Sequence, residues 1–331
     1  MRADFFRKGL KRVARPWDLL RGRDVFRDRI ELDSELVLHE VQHWAPNCCT
    51  FSRAREYPIP GVANPPEPLR SESFPEGIPD VVQHLPVAKR RKLALDTDMA
   101  NLAADRCLDA HRSGRYFSLE NPKNSLARHL TKWRQLEREP GVLVTFYHAC
   151  MFSPCKRRKA QVLIHNIPNL VERVGLTCEN SRFCSRTREK HLPWRPTVVN
   201  GRVSSFATAD EREYPQAFCE AFAKGLTFTE GTSPSSFIEV FSGPNAPLSR
   251  AVALEWNIDP PPRAQSQGRP GVEHSEIQTL TNPVIFTPNL TRVEREQGAE
   301  ISGPPENLLH VAEPQKRYRT HAVEALSLIH I

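Results

Sequence analysis

The chain has 331 residues, of which 39% are hydrophobic, so it can bury a sizeable core and is not wholly disordered. Its formal charge is +7, but residues 263–331 hold seven Lys/Arg and eight Asp/Glu, so the first 262 residues carry about +8. That excess favours a polyanionic partner such as nucleic acid.

The sequence shows neither a membrane span nor a secretory signal. No window is long and apolar enough to cross a bilayer, and no apolar run follows the first residues. The eight cysteines stand at irregular spacings with one adjacent pair, which is typical of reduced thiols. These features predict an intracellular protein, in the nucleus or the cytoplasm, with no membrane partner.

The predicted elements alternate between strands and helices. An apolar strand over 36–41 leads to Cys48, which therefore lies past a carboxyl end, where open α/β sheets bind ligands. Residues 52–86 are dense in proline and predict a long loop. Apolar residues at helical spacing predict a helix over 87–111, which Gly114 ends.

Further elements continue this alternation towards the second half of the chain. They are strands over 116–119, 141–147, 161–165 and 236–243 and helices over 126–136 and 207–226. The pattern predicts an α/β fold with a doubly wound sheet. We divide the chain into a core over 1–228, a strand and turn over 229–258, and a Pro/polar-rich, disordered tail over 259–331.

Two short segments carry the strongest chemical signal. They are Pro46-Asn47-Cys48-Cys49-Thr50-Phe51-Ser52 and Glu120-Asn121-Pro122. The first resembles the Pro-Pro-Cys-Gln-x-Phe-Ser motif of DNA cytosine-C5 methyltransferases, and the second resembles the Glu-Asn-Val motif of the same family. The resemblance implies that Cys48 attacks carbon 6 of the base and that Glu120 protonates N3. The spacing to Phe51 and Ser52 selects Cys48 over Cys49.

A third segment, from Cys150 to Lys159, resembles the family's Tyr/Phe-Gly turn and the Gln-x-Arg-x-Arg that follows it. It implies that Arg158 holds the cytosine edge and orders the active site, and that Arg157 and Lys159 meet phosphate. The proline-rich loop matches the family's mobile loop, which closes over flipped DNA, so Ser52 and Arg53 are expected to contact nucleic acid.

The cofactor motif is out of order. Residues 237–248 resemble the family's Asp-Leu-Phe-x-Gly-x-Gly-Gly, although Gly243 is the one glycine that remains. The resemblance implies S-adenosylmethionine as cofactor, bound by Phe241, Ser242, Gly243 and Asn245. In the family this motif opens the domain, whereas here it follows the other motifs.

Two explanations of that order stay open. The chain is either circularly permuted, or it has lost its first strand upstream and begins a second, truncated copy near Phe237. Segments at 17–20 and 24–25 resemble the middle of the cofactor half and slightly favour truncation. The implied fold is a doubly wound Rossmann-like methyltransferase sheet, incomplete or circularly permuted, and a further domain or chain could complete its cofactor site.

The resemblance implies methyl transfer from S-adenosylmethionine to carbon 5 of cytosine in DNA. The alternative is a non-catalytic nucleic-acid-binding remnant of a mobile-element polyprotein, which would explain the basic core without turnover. The motifs separate neither DNA from RNA nor an active enzyme from an inactive one.

Several cysteines and one histidine in the middle of the chain offer metal ligands. They are Cys150, Cys155, Cys178, Cys184 and His191. Their Cys-x4-Cys and Cys-x5-Cys spacings lack the tight knuckle of common structural zinc sites. The sequence therefore favours free thiols and no metal.

Overall fold

The structure is a computed structural model whose described residues are grouped in segments. These are residues 11–56, 59, 62, 67–153, 157–194, 197–199, 202–205, 213–227, 234–241 and 245–261. The predicted disordered tail lies outside the described residues from 262 onward. Ser242, Gly243 and Cys155 also lie outside them.

Six strands form one sheet, and two more form a separate hairpin. In chain order they are β1 (Arg12–Val13), β2 (Val41–Trp44), β3 (Tyr116–Pro122), β4 (Leu143–His148), β5 (Ala160–His165), β6 (Thr197–Val199), β7 (Arg202–Ser205) and β8 (Ser236–Val240). The large sheet has the order β1-β8-β2-β3-β5-β4, and β6 pairs with β7. Strands β1, β8, β2 and β3 run parallel, whereas β5 is antiparallel to both of its neighbours.

Helices cover both faces of the large sheet. The seven described α-helices are α1 (Arg29–Leu36), α2 (Pro79–His84), α3 (Val87–Arg112), α4 (Thr131–Arg138), α5 (Leu170–Val174), α6 (Gln216–Gly225) and α7 (Pro247–Glu255). One apolar cluster joins α1, α3 and α4 to the sheet, and a second joins α5, α6 and α7 to its other face. The fold is therefore a mixed α/β fold with a mostly parallel sheet, which is compatible with a Rossmann-like arrangement.

Alternation along the strands decides which side chains meet each helical layer. In β3, Phe117 and Leu119 enter the cluster below α3, so Ser118 and Glu120 point to the face covered by α5 to α7. In β8, Ile238 and Val240 likewise join the α3 side. A buried carboxylate thus faces the layer that contains α6.

One predicted strand is misplaced in the sequence analysis. The strand expected over 36–41 begins only at Val41, because α1 extends to Leu36 and buries it. Val37 and Leu38, which made the run look like a strand, are exposed in the turn that follows the helix. Short apolar runs do not separate a helix end from a buried strand by periodicity alone.

The strand that carries the cofactor-like motif is an inner strand of the sheet. β8 pairs with β1 on one side and with β2 on the other, parallel to both. Trp17 extends this pairing, since its N–H donates to the Glu239 carbonyl (2.9 Å) and its carbonyl accepts from the Phe241 N–H (2.7 Å). A strand from late in the sequence, β8, is therefore the neighbour of β2, the strand that leads to Cys48.

Within the part of the chain that the structure describes, none of the helices combines the length and the apolar composition that crossing a bilayer requires.

Candidate active site

Two parallel strands, β2 and β8, end at the same level of the sheet on either side of their shared pairing, beside β3. Trp44 of β2 is level with Leu119 of β3 and with Val240 of β8. The chain that leaves β2 and β8 here carries Cys48 and Phe241, whereas β3 continues to Pro122 and carries Glu120 within it. The crevice outside the carboxyl ends of parallel strands is where open α/β sheets bind ligands.

The loop after β2 is held by backbone and amide hydrogen bonds. The Cys48 carbonyl accepts from the Phe51 N–H (3.1 Å), which closes a single 3-10 turn. Asn121 donates from its amide nitrogen to the Pro46 carbonyl (3.2 Å), and the Asn47 amide oxygen accepts from the Cys49 N–H (3.1 Å). Asn121 thus fixes the cysteine loop to the strand that carries the candidate acid.

Cys48 and Cys49 differ in exposure and in electrostatic surroundings. Cys48 is half-buried and Cys49 is exposed. Burial raises the pKa of the Cys48 thiol to about 12, with smaller contributions from Cys49 and Glu120, while Lys159 lowers it. Cys48 therefore lies in the field of the candidate acid Glu120 and of the Lys159 cation, and its resting form is the thiol.

Glu120 is buried with one carboxylate oxygen unpaired. Its Oε2 accepts from the Tyr214 hydroxyl (3.1 Å), whereas its buried Oε1 has no hydrogen-bond partner among the described residues. Burial raises the pKa of Glu120, and the Lys159 charge and the Tyr214 hydrogen bond oppose that rise. A buried carboxylic acid whose pKa is raised, and whose second oxygen has no partner among the described residues, suits a general acid.

A buried chain of hydrogen bonds backs the Tyr214 hydroxyl. His43 Nε2 lies 3.1 Å from the Tyr214 Oη, and His43 Nδ1 lies 2.8 Å from the Ser118 Oγ. Burial lowers the pKa of His43 to about 3, so the ring is neutral. Because Tyr214 donates to Glu120, His43 donates to Tyr214 and accepts from Ser118.

Sequence reasoning missed this chain of three residues. A usable signal existed for Ser118, because it is a polar residue between Phe117 and Leu119 in the predicted strand, whereas His43 gave less signal because it adjoins Gln42 in β2. Tyr214 gave no comparable signal, since it lies just before α6 and reaches Glu120 only through the fold.

A buried arginine, Arg70, stabilises the loop after β2 that contains Cys48. Arg70 donates to the Thr50 hydroxyl (2.9 Å), and its guanidinium stacks on the Phe51 ring at 3.8 Å. It also donates to the Thr97 hydroxyl, the Leu93 carbonyl and the Pro75 carbonyl. Burial lowers the pKa of Arg70 to about 10, so the side chain is still charged at neutral pH. This residue also escaped the sequence analysis, because it lies in the proline-rich loop.

The predicted residues of the third segment separate into different roles. Lys159 lies close enough to Glu120 and Cys48 to lower the pKa of both groups. Arg157 instead donates to the Pro193 carbonyl (3.3 Å) and lies over the Trp194 ring. Arg158 lines an open cleft of about 910 Å³ beside the end of β3.

That cleft has a strongly basic lining. Its charged residues are Arg53, Lys123, Arg128, Arg134, Arg138 and Arg158, with Glu72 and Glu137 as the two acids among the described residues. Arg53 pairs with Glu72, and Arg128 pairs with Glu137 at 2.7 Å. The remaining positive charge gives the cleft the character of a polyanion site. Ser52 ends the 3-10 turn that precedes Arg53.

Of the four residues predicted to bind the cofactor, the structure describes two, Phe241 and Asn245. Phe241 has a left-handed backbone (φ 63°) and packs edge-on against the Trp44 ring. Asn245 donates its side-chain amide to Glu213. Glu239 of β8 accepts from the Ser249 N–H at the start of α7 (2.7 Å), and burial raises the pKa of Glu239 to about 7.

No protein-family model, curated protein or solved structure matches this chain. The geometry of the site and the motif resemblance therefore carry the functional argument that follows.

Proposed function

We propose that this chain is a cytosine-C5 methyltransferase-like enzyme that acts on DNA, with Cys48 as nucleophile and Glu120 as acid. The observation that carries this proposal is the buried Oε1 of Glu120, which has no hydrogen-bond partner among the described residues and lies on the strand next to the Cys48 loop. An unsatisfied buried carboxyl oxygen is costly, so its retention suggests a ligand that pairs with it.

The proposed chemistry assigns one bond to each of the two residues. Cys48 Sγ loses its proton to solvent and bonds to carbon 6, while Glu120 gives its proton to N3, which places the electron pair at carbon 5. S-adenosylmethionine, when bound, supplies the methyl group at carbon 5. Carbon 5 then loses its proton to solvent, the Cys48–carbon 6 bond breaks, and N3 returns its proton to Glu120.

The position of β8 supports the permuted order of the motifs. The family motif, written against this chain, puts its last two glycines at Asn245 and Ala246. Ala246 has φ 43°, so the backbone keeps the left-handed conformation that glycine normally supplies, and α7 begins at the next residue. At its described end, around Ala246 and the start of α7, the chain therefore fits the turn that would hold the cofactor in a Rossmann-like methyltransferase sheet.

Lys159 and the basic cleft fit a negatively charged substrate. Lys159 favours the thiolate form of Cys48, which is the form that attacks. The cleft lies next to the residues that follow Glu120 and contains Arg158. A nucleotide extruded from a duplex could enter the site while its flanking phosphates lie along the cleft.

Removing cleft charges is expected to weaken DNA binding through the salt-dependent part of the affinity. The variants Lys123→Ala and Arg138→Ala should each weaken binding and reduce the slope of log K against log salt by about one. Arg90→Ala, in the exposed basic run at the start of α3, is the matched control. Fluorescence anisotropy at several salt concentrations measures the slopes, and equal losses in all three variants would contradict a cleft-specific interface.

A covalent trap tests the proposed chemistry. DNA containing 5-fluorocytosine, incubated with the full chain and S-adenosylmethionine, should form an adduct that survives SDS, because fluorine blocks the release step. Cys48→Ala should form none, whereas Cys49→Ala should retain it. A chain that shifts DNA in a native gel but forms no adduct would be a non-catalytic binding protein, and this result would overturn the proposal. An adduct formed only with the corresponding RNA would reassign the substrate.

A further inference from the structure

Four of the five candidate metal ligands in the sequence come together in the structure. The Sγ atoms of Cys150, Cys178 and Cys184 and a ring nitrogen of His191 all lie within 4.8 Å of one another, and all four residues are buried. Around a tetrahedral zinc ion with bonds of about 2.3 Å, ligand atoms are separated by about 3.8 Å. We propose that these four residues bind one zinc ion.

The ligands come from three places that the fold brings together. Cys150 lies in the 3-10 turn after β4, and the Cys178 N–H donates to His148 Nδ1 at the end of the same strand (2.9 Å). Cys184 and His191 flank a tight turn closed by the Cys184 N–H to the Glu189 carbonyl (2.8 Å). Cys178, Cys184 and His191 are spaced more widely than in a common zinc knuckle, and Cys150 lies well before them in the sequence, so no compact spacing motif marked the site.

The histidine is already oriented as a ligand. Its Nδ1 lies 3.0 Å from the Ser181 carbonyl, so Nδ1 carries the proton and Nε2 presents its lone pair to the cluster. That Nε2 lies 4.0 Å from Cys178 Sγ. Zinc-bound histidines commonly donate their other ring N–H to a carbonyl or carboxylate in this way.

The thiols are also prepared for a negative charge that a cation would balance. The Ser185 N–H donates to Cys178 Sγ (3.3 Å), and the Ser185 hydroxyl lies 3.4 Å from the same sulfur. None of the three cysteines forms a disulfide. Three thiolates with one imidazole match the soft ligand preference of zinc, and four protein ligands leave no position for a substrate, so the site is structural.

A structural ion suits the segment in which the site lies. Between α5 and β6 the described residues contain no regular element, only one isolated bridge that joins Phe183 to Lys190. A segment of about 20 residues without its own helix or strand needs another source of order. The cysteines form their own buried cluster, apart from the two large apolar cores.

The zinc site would also stabilise the start of β5, because Lys159, the candidate active-site cation, directly precedes that strand. The Ala149 N–H donates to the Lys159 carbonyl (2.9 Å), next to Cys150. Arg186 donates to the Cys150 carbonyl (3.3 Å). The metal would therefore fix the backbone on which Lys159 approaches Glu120, although the metal itself takes no part in the reaction.

Metal content of the purified full chain tests the inference directly. Protein produced in zinc-supplemented medium should contain about one zinc per chain by mass spectrometry of the metal. The double variant Cys178→Ser/Cys184→Ser should lose nearly all of it. Cys107→Ser/Cys219→Ser removes two buried cysteines outside the cluster and should keep it.

A cobalt measurement on the unchanged chain covers the case in which the double variant does not fold. After a chelator has removed the bound metal, added Co²⁺ should give the intense visible absorption bands of a tetrahedral thiolate site. Added zinc should then displace the cobalt and abolish these bands. Alkylation should then modify Cys150, Cys178 and Cys184 only when the metal has been removed. Wild-type protein without zinc, without cobalt bands and with metal-independent alkylation of these thiols would overturn the proposal.

Discussion

Replacing Glu120 with glutamine should lower the rate of methyl transfer by about 10²–10⁴-fold, which is the usual contribution of a general acid. The amide keeps the size of the side chain and can still accept from Tyr214, but it has no proton to give to N3. DNA binding should stay nearly unchanged, since Glu120 is buried and is not among the described residues that line the basic cleft. Transfer of radiolabelled methyl groups measures the rate, and Glu220→Gln on the exposed side of α6 is the control.

The pH dependence of the same reaction gives a second readout. Attack needs both the Cys48 thiolate and the protonated Glu120, and Cys48 has the higher pKa, so the rate should rise with pH and level off at the pKa of Glu120, where loss of the acid offsets gain of the thiolate. The Tyr214 hydrogen bond lowers the pKa of Glu120, so its removal in Tyr214→Phe should move this levelling-off to higher pH. Glu120→Gln has no titrating acid, so its rate should keep rising. A levelling-off at the same pH in Tyr214→Phe would exclude Glu120 as the titrating group.

Replacing Arg70 with methionine should destabilise the protein by about 3 kcal/mol, because buried hydrogen bonds to a charged group are lost and polar acceptors are left without a donor. The affected groups are the Thr50 hydroxyl and the Pro75 carbonyl, whereas the Leu93 carbonyl still accepts from the Thr97 hydroxyl. Relief from burying the guanidinium opposes this loss, but four hydrogen bonds and the Phe51 ring outweigh it.

Urea unfolding followed by tryptophan fluorescence measures this change. Arg128→Met is the matched control, since it breaks a partly exposed pair with Glu137 and should cost less than about 1 kcal/mol. Arg70→Met should also slow covalent trapping by Cys48, because the Thr50–Phe51 turn loses its support. Equal stability of Arg70→Met and Arg128→Met would mean that the hydrogen bonds of Arg70 do not stabilise the cysteine loop.

The local sequence pattern was sufficient to predict an element where a segment forms a single helix or strand. The helix expected over 87–111 is α3, and Gly114 ends it with a left-handed φ of 72°. The strands expected near 116, 141 and 161 are β3, β4 and β5. Strand direction was not available from periodicity, because the antiparallel setting of β5 depends on which neighbours it meets.

The candidate site was predictable only as far as motifs extend. Cys48 lies past the end of its strand, as the sequence predicted, whereas Glu120, which was expected just after a strand, lies inside β3. The contacts of Arg70, Tyr214 and the zinc ligands join residues far apart in the chain, and a single sequence carries no record of such pairs. The shift of β2 from 36–41 to Val41–Trp44 has a different cause, since α1 competes for Leu36.

Because β8 is an inner strand of the sheet, the sheet cannot be completed until late in the synthesis of the chain. β2 cannot gain its second neighbour until residue 240 has left the ribosome, although β2 itself ends at Trp44. During that interval the nascent chain displays an unpaired apolar strand edge, which is a hazard for association between chains. Closure of the sheet must then span nearly 200 residues, and such distant pairing is slow. Until β8 is made, the edge of β2 is therefore a place where nascent chains can associate with one another.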